Sequence, residues 1–299
     1  MGIRSSAVLL GTTRPRQDLK GRKPLSTRTL SVAVVCFIFP VAVALGQQTP
    51  QASPIPAATP SQADCTGFIT ASNVPEDIIV LDGADNDLQS PIRQFTTSES
   101  IYLYSRRKAS FSVGEQFALV RPAKVLFRTT RYSGEHWTIR GLGKPYEDLG
   151  RVQVTHVTPE GAVAEVSSAC GPILPGDIAV PYQPQTIPDY VPAKLDRFPV
   201  PNGKIQGTIV AARDNFASLG TGDIVYFNFG QKDGAEVGQR YRIYYSLSSP
   251  RHSASSVHAP APRETLAEAV VLSTQERSSV AIIVDSVRDV NVGYGVELE

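Results

Sequence analysis

Val113-Gly114-Glu115-Gln116-Phe117-Ala118-Leu119-Val120-Arg121 and Val237-Gly238-Gln239-Arg240-Tyr241-Arg242-Ile243-Tyr244-Tyr245 are two versions of one pattern, 124 residues apart. Each sets a Val-Gly turn ahead of a run in which every second side chain is large and apolar, the period of a β-strand. A long loop follows in both. Then comes a second matched stretch, at a shift of 117, that needs no gap from Leu149 to Gly176. Within it Val154, Val163, Ala164, Val166 and Gly176 meet Val271, Val280, Ala281, Ile283 and Gly293. Self-similarity of this kind predicts one structural unit used twice.

Working outward, each copy reads as about six short strands separated by glycine and proline turns. In the first copy these are Gly67–Thr70, where the module begins, Ile78–Leu81, Ile101–Tyr104, Glu115–Arg121, the hairpin Leu149–Val157 and Gly161–Val166, and a last strand from Ile178. Thr158-Pro159-Glu160-Gly161 is the hairpin turn, and Pro175-Gly176-Asp177 turns the chain into Ile178. In the second copy Gly207–Ala211 matches Gly67–Ala71, and Leu219–Phe227 matches the strand around Tyr102. No long amphipathic helix pattern lies between strands, so they pair antiparallel, and a small closed barrel removes their exposed edges. The fold class expected is all-β, with two tandem small antiparallel β-barrel modules, SH3-like or similar. The modules span 65–181 and 203–299. The proline-rich stretch 182–202 is the linker between them.

The N-terminus has a different character. Residues 1–46 carry seven basic side chains against one acid, Asp18, a net +6. With a whole-chain charge of +1, residues 47–299 carry +1 − 6 = −5. The basic start precedes the apolar run Leu30–Leu45, then Ala44-Leu45-Gly46 and the polar Gln47-Gln48. This is the layout of a secretory signal, with residues 1–46 removed and Gln47 as the mature N-terminus. An uncleaved anchor is the alternative; the run is short for a span and is broken by Pro40. Any membrane contact is therefore expected only through the signal or a transient anchor. Residues 47–64 hold four prolines and one large apolar side chain, and are expected to be a disordered tether. A body of net −5 has no electrostatic pull towards nucleic acid, which is not expected as a partner.

Of three cysteines, Cys36 belongs to the apolar run. Cys65 and Cys170 remain, and in an exported protein two cysteines predict a disulfide. Position 287, aligned with Cys170, is valine in the second copy. A nucleophilic Cys170 is the other reading, and no Cys-His spacing supports it.

Pro122–Asp148 reads as a long connection. It interleaves basic and aromatic residues, of which Lys124, Arg128, Arg131, Tyr132, Trp137, Arg140 and Tyr146 form the candidate binding set. Such a mixture suits a glycan or a single strand, whereas a hairpin extension with a packed Trp137 is the structural alternative. Asp82–Asp87 resembles a calcium loop, but Ser90 and Thr96 stand where glycine and glutamate are needed, so it reads as a solvated turn. His252 and His258 have no nearby carboxylate or cysteine partners, and His156 reads as a packed or rim residue. No nucleophile elbow, phosphate loop or His-Glu-x-x-His motif occurs. Neither catalytic residues, a metal nor a cofactor is expected.

Leu219-Gly220-Thr221-Gly222-Asp223-Ile224-Val225-Tyr226, Asp233-Gly234, Val237-Gly238-Gln239-Arg240-Tyr241 and Gly293 together resemble the small C-terminal β-barrel of the flagellar assembly protein T family. Similar repeats accompany LysM modules in exported bacterial envelope proteins, although no LysM sequence is visible here. The resemblance implies a non-catalytic assembly or protein-interaction role at the periplasm or outer membrane of a bacterium. It transfers no catalytic residues. The expected partners are envelope proteins, or alternatively cell-wall or surface glycan bound through the basic-aromatic loop.

Overall fold

The computed structural model describes residues 53–83, 93–107, 110–123, 132, 134–216, 218–246 and 262–299. The expected signal, residues 47–52 of the tether, Lys124, Arg128, Arg131, His252 and His258 lie outside them. Among the described residues no helix is long and apolar enough to cross a membrane.

The first copy builds β3 (Ile78–Gly83), β4 (Ser100–Ser105), β5 (Gln116–Pro122), β6 (Lys144–Val157), β7 (Gly161–Ala169) and β8 (Ile178–Pro181). They pair antiparallel in the ring β3-β4-β7-β6-β5-β8, which closes through β8 on β3. The second copy builds β10 (Gln206–Ala212), β11 (Ile224–Phe227), β12 (Arg240–Ser246), β13 (Arg263–Thr274), β14 (Ser279–Ser286) and β15 (Gly295–Leu298). Its closed order, β10-β11-β14-β13-β12-β15, is the same ring.

The register reproduces the repeat residue by residue. Phe117 pairs with Val152 and Pro181, and Tyr241 pairs with Ala269 and Leu298. The shared Val-Gly turn needs its glycine, since Gly114 and Gly238 take φ of 88° and 87°. Alternation fills each barrel from within. Phe117, Leu119, Ile101, Leu103, Val152 and Val166 occupy the first, and Tyr241, Ile243, Phe227, Ala269 and Ile283 the second. In the second, Phe227, Phe229 and Tyr241 stack with ring centroids 4.9–5.7 Å apart.

One expected match is corrected. The counterpart of β10 is β3, not Gly67–Ala71, because β3 and β10 hold the same place in the two rings. Both carry the same bulge, between Val80 and Asp82 and between Ile209 and Ala211. The shift is 209 − 80 = 129 residues. The segment around Gly67 is instead β2 (Phe68–Thr70), an added strand on the N-terminal half of β6, outside the ring.

The expected tether also differs over 53–64. β1 (Ile55–Pro56) pairs with β9 (Asp189–Tyr190) from the proline-rich stretch. Thr59 then caps α1 (Pro60–Asp64) with a reciprocal Thr59–Gln62 capping box and a proline in the first turn. The segment's few apolar groups, Ala57 and Ala58, are buried in a cluster that the second barrel supplies. Composition alone undercounted them because their packing partners come from other parts of the chain, Ile139 and Val210 among them.

The long connection is shorter than expected. Glu135–Leu142 forms helix α2 and β6 begins at Lys144. Ile139 and Leu142, three apart, face inward and hold this two-turn helix in place.

Candidate interaction surfaces

β1, α1, β2 and α2 act together to cover the outer wall of the second barrel. Ala57, Ile69, Ala123, Ile139 and Leu142 pack with Val210, Ala211, Ile224, Tyr226, Val270, Leu272, Val280 and Ile282. The latter eight face away from their own barrel's core, so β11, β13 and β14 are apolar on both faces. Polar contacts fix the seam. The hydroxyl of Tyr226 donates to the Thr66 carbonyl at 2.6 Å, and that of Ser278 to the Ile69 carbonyl at 2.6 Å. Arg213 donates to the Cys65 carbonyl at 3.3 Å and Gln62 to the Gly222 carbonyl at 3.4 Å. Gly67, with φ of 64°, lies between Tyr226 and Tyr146; a Cβ there would meet the Tyr226 hydroxyl at 2.9 Å and the Tyr146 carbonyl at 2.6 Å. Burial pushes the Tyr226 hydroxyl far above the usual phenol range.

Cys65 and Cys170 are bonded, as expected, with Cα atoms 5.4 Å apart. The bond ties this covering segment to the end of β7. Beside it, the Arg151 guanidinium pairs with Asp148, donates to the Asp64 carbonyl at 2.5 Å and lies 4.8 Å over the Tyr182 ring. Tyr182 in turn donates to the Asp64 carboxylate at 2.8 Å. Burial raises the Asp148 carboxyl above its ordinary range, against the opposing hydrogen bond and charge of Arg151.

A cleft of about 560 Å³ opens where β2 and β6 meet the second barrel, with the disulfide in its wall. Its arginines are already neutralised. Arg121 forms a bidentate pair with Asp177 at 2.7 Å, and Arg213 pairs with Asp214 at 2.6 Å. Arg213 also reaches the seam through the Cys65 carbonyl, and the carboxylates of Glu147, Asp148 and Asp214 line the same cleft. Among the described residues no cluster of potential metal ligands occurs. His156 is exposed on the rim, 3.2 Å from the Thr155 hydroxyl.

The sequence-derived binding set divides. Trp137 is 77% exposed on α2, and the Arg140 guanidinium lies 6.0 Å from its ring centroid. The packed-Trp137 alternative is therefore overturned. Tyr132 packs against Gly293 and the second barrel's core, while Tyr146 is buried on β6 and stacks on Phe68 at 5.4 Å. Burial, then the nearby Glu76, raises the Tyr146 hydroxyl. Of the described members, only Trp137 and Arg140 present themselves outward together.

A second outward group lies on the first barrel. Tyr102 and Tyr104 alternate with the core residues Ile101 and Leu103, so both stand outside. Cross-strand pairing sets Tyr102 beside Val163 and Tyr104 beside Ile79, and Leu81 protrudes at the β3 bulge, 55% exposed. The signal for this surface was present in the alternation Ile101-Tyr102-Leu103-Tyr104, but an outward tyrosine reads as ordinary strand surface unless its counterpart is known.

No protein-family model matches the chain, and no curated protein matches it.

Proposed function

We propose that the chain is a non-catalytic, exported envelope protein that acts in assembly through protein–protein contacts, at the periplasm or outer membrane of a bacterium. The observation that carries this reading is the use of a barrel wall as a docking surface. The wall of the second barrel is already occupied by peptide from outside that barrel. The equivalent wall of the first leaves Tyr102, Tyr104 and Leu81 open. Both interiors are filled by apolar side chains, so recognition falls to walls and loops. The Cys65–Cys170 bond suits an oxidising compartment, in keeping with the basic and apolar N-terminus. The likeness of the Gly222–Tyr226 and Val237–Tyr241 turns to the flagellar assembly protein T barrel supports the same role.

Trp137 supports a second reading, a cell-wall or surface-glycan module, because an exposed indole beside an arginine suits the apolar face of a sugar. One experiment separates the two. Residues 47–299 are immobilised and challenged with purified sacculi and with detergent-solubilised envelope proteins. A discrete envelope protein retained by the parent and by Trp137→Ala, but lost with Leu81→Asp, supports the first reading. Sacculus retention lost in Trp137→Ala supports the second, and retention of neither overturns both.

A further inference from the structure

The two barrels pose the same wall in two states, one covered and one open, and the covered state indicates what the open one takes. Register equivalence places Tyr102 on Tyr226, Leu81 on Val210 and Val163 on Val280. Tyr226 is 4% exposed and Tyr102 is 40% exposed. On the covered wall the tyrosine has a specific role. Its hydroxyl donates to a main-chain carbonyl, and the next residue of the docked segment is a glycine, where an added Cβ would meet that hydroxyl at 2.9 Å and the Tyr146 carbonyl at 2.6 Å.

We propose that the Tyr102 wall of the first barrel binds an extended segment of a partner protein, with a main-chain carbonyl accepting from the Tyr102 hydroxyl and a glycine next in the segment beside that hydroxyl. This rests on the assembly reading above and names the chemistry of the partner.

Three observations fix that choice. First, Tyr102 makes no side-chain hydrogen bond to the described residues, so its donor is available. Second, the open patch is narrow. Tyr102, Tyr104, Ile79, Leu81 and Val163 are contiguous, but the next row is Ser100, Glu165 and Gln153, where the covered wall has Ile224, Ile282 and Val270. A single extended strand fits a patch bounded in this way; a helix or a second sheet would bury Glu165 without a partner. Third, the chain's own copy of such a segment is already spent. Residues 65–70 are bonded to Cys170 and seated on the second barrel, so among the described residues a second copy of this chain has no free segment of this kind to offer.

The test uses residues 47–299 with isotope-labelled tyrosine and the peptide Thr-Gly-Phe-Ile-Thr-Ala, the sequence of 66–71, followed by NMR. Saturable shifts at Tyr102 and Tyr104 with a Kd of about 1 mM are expected. Affinity should fall roughly fivefold in Tyr102→Phe, which removes the donor, and similarly when valine replaces the peptide's glycine. Leu81→Asp, an exposed change that leaves the fold intact, should abolish binding. The proposal is overturned by no saturable shift at about 10 mM peptide, or by shifts at Tyr226 in place of Tyr102. It is also overturned by Tyr102-dependent self-association in sedimentation, or by a muropeptide shifting Tyr102 where the peptide does not. If the peptide fails while Leu81→Asp still abolishes retention of an envelope protein, the segment chemistry is wrong and the assembly reading survives.

Discussion

The Cys65–Cys170 bond should act chiefly as an anchor for the segment that holds the two barrels together. Its two ends are 105 residues apart in sequence. In the chain-entropy model a closed loop of about 100 residues stabilises the fold by about 4.7 kcal/mol. Replacing both cysteines by serine should therefore lower the free energy of unfolding by up to ~5 kcal/mol. With a urea slope near the upper end of its usual range, ~3 kcal/mol/M, the midpoint moves down by about 1.5 M.

Where the loosening occurs tests the assignment. Cys170 directly follows β7 in a complete ring, whereas Cys65 precedes β2, which meets the first barrel through the short pairing of Phe68–Thr70 with Lys144–Tyr146 and the packing of Phe68 on Val120 and Ile178. Without the bond, β2 keeps that short pairing and the seam contacts to Tyr226 and Ser278. Hydrogen exchange in the Ser/Ser variant should accelerate first in α1 and β2. Amides of the β5–β6 and β12–β13 pairs should open only with global unfolding. A midpoint within ~0.3 M of the parent would refute the stabilising role. Exchange that speeds up equally in β2 and in the β5–β6 core would refute the anchoring role while leaving the energy intact.

Three further outcomes follow from named groups. Gly67→Ala should cost about 2–4 kcal/mol in thermal or urea unfolding, since it combines a left-handed backbone with two contacts under 3 Å; a cost below ~0.5 kcal/mol would contradict the close approach to Tyr226. Asp148, raised by burial, makes the folded state hold a proton that the unfolded state releases at lower pH. Stability should thus decline as pH rises from the ordinary carboxylate pKa to the raised one, and carboxyl NMR showing Asp148 titrating at or below its ordinary value would exclude this. Burial pushes Tyr241 up to about 12, so its folded-state proton is retained when the unfolded chain would lose it near pH 10. Stability from this group is complete below about pH 10 and lost above it, and phenolate absorbance should show Tyr241 ionising only with unfolding.

What was legible in the sequence and what was not divides along the two faces of each strand. Inward faces repeat, because both barrels solve the same packing problem: Phe117 and Tyr241, Leu119 and Ile243, Val154 and Val271 are interchangeable within one ring geometry. The repeat therefore revealed strands and turns, while the disulfide followed from the count of cysteines. Outward faces do not repeat, because only one barrel is covered. β2 was misplaced by the resemblance of Gly67–Ala71 to Gly207–Ala211, and α2 is too short to declare itself by periodicity alone. Only Trp137 and Arg140 of the described binding set share an outward face, since Tyr132 and Tyr146 are spent on packing.

A signal for the covered wall was nonetheless present. Leu266-Ala267-Glu268-Ala269-Val270-Val271-Leu272 and Val280-Ala281-Ile282-Ile283-Val284 are nearly continuous apolar runs, whereas their counterparts Leu149–Thr155 and Val163–Ser167 alternate with Arg151, Gln153, Glu165 and Ser167. A strand that abandons alternation is buried on both faces. The contrast between copies thus marks the second barrel as the one that is covered, and the first as the one whose wall is open. It also explains why the apolar group on the first wall is confined to Ile79, Leu81, Tyr102, Tyr104 and Val163. A wall under permanent cover can be apolar throughout, whereas one that faces solvent keeps its apolar group small.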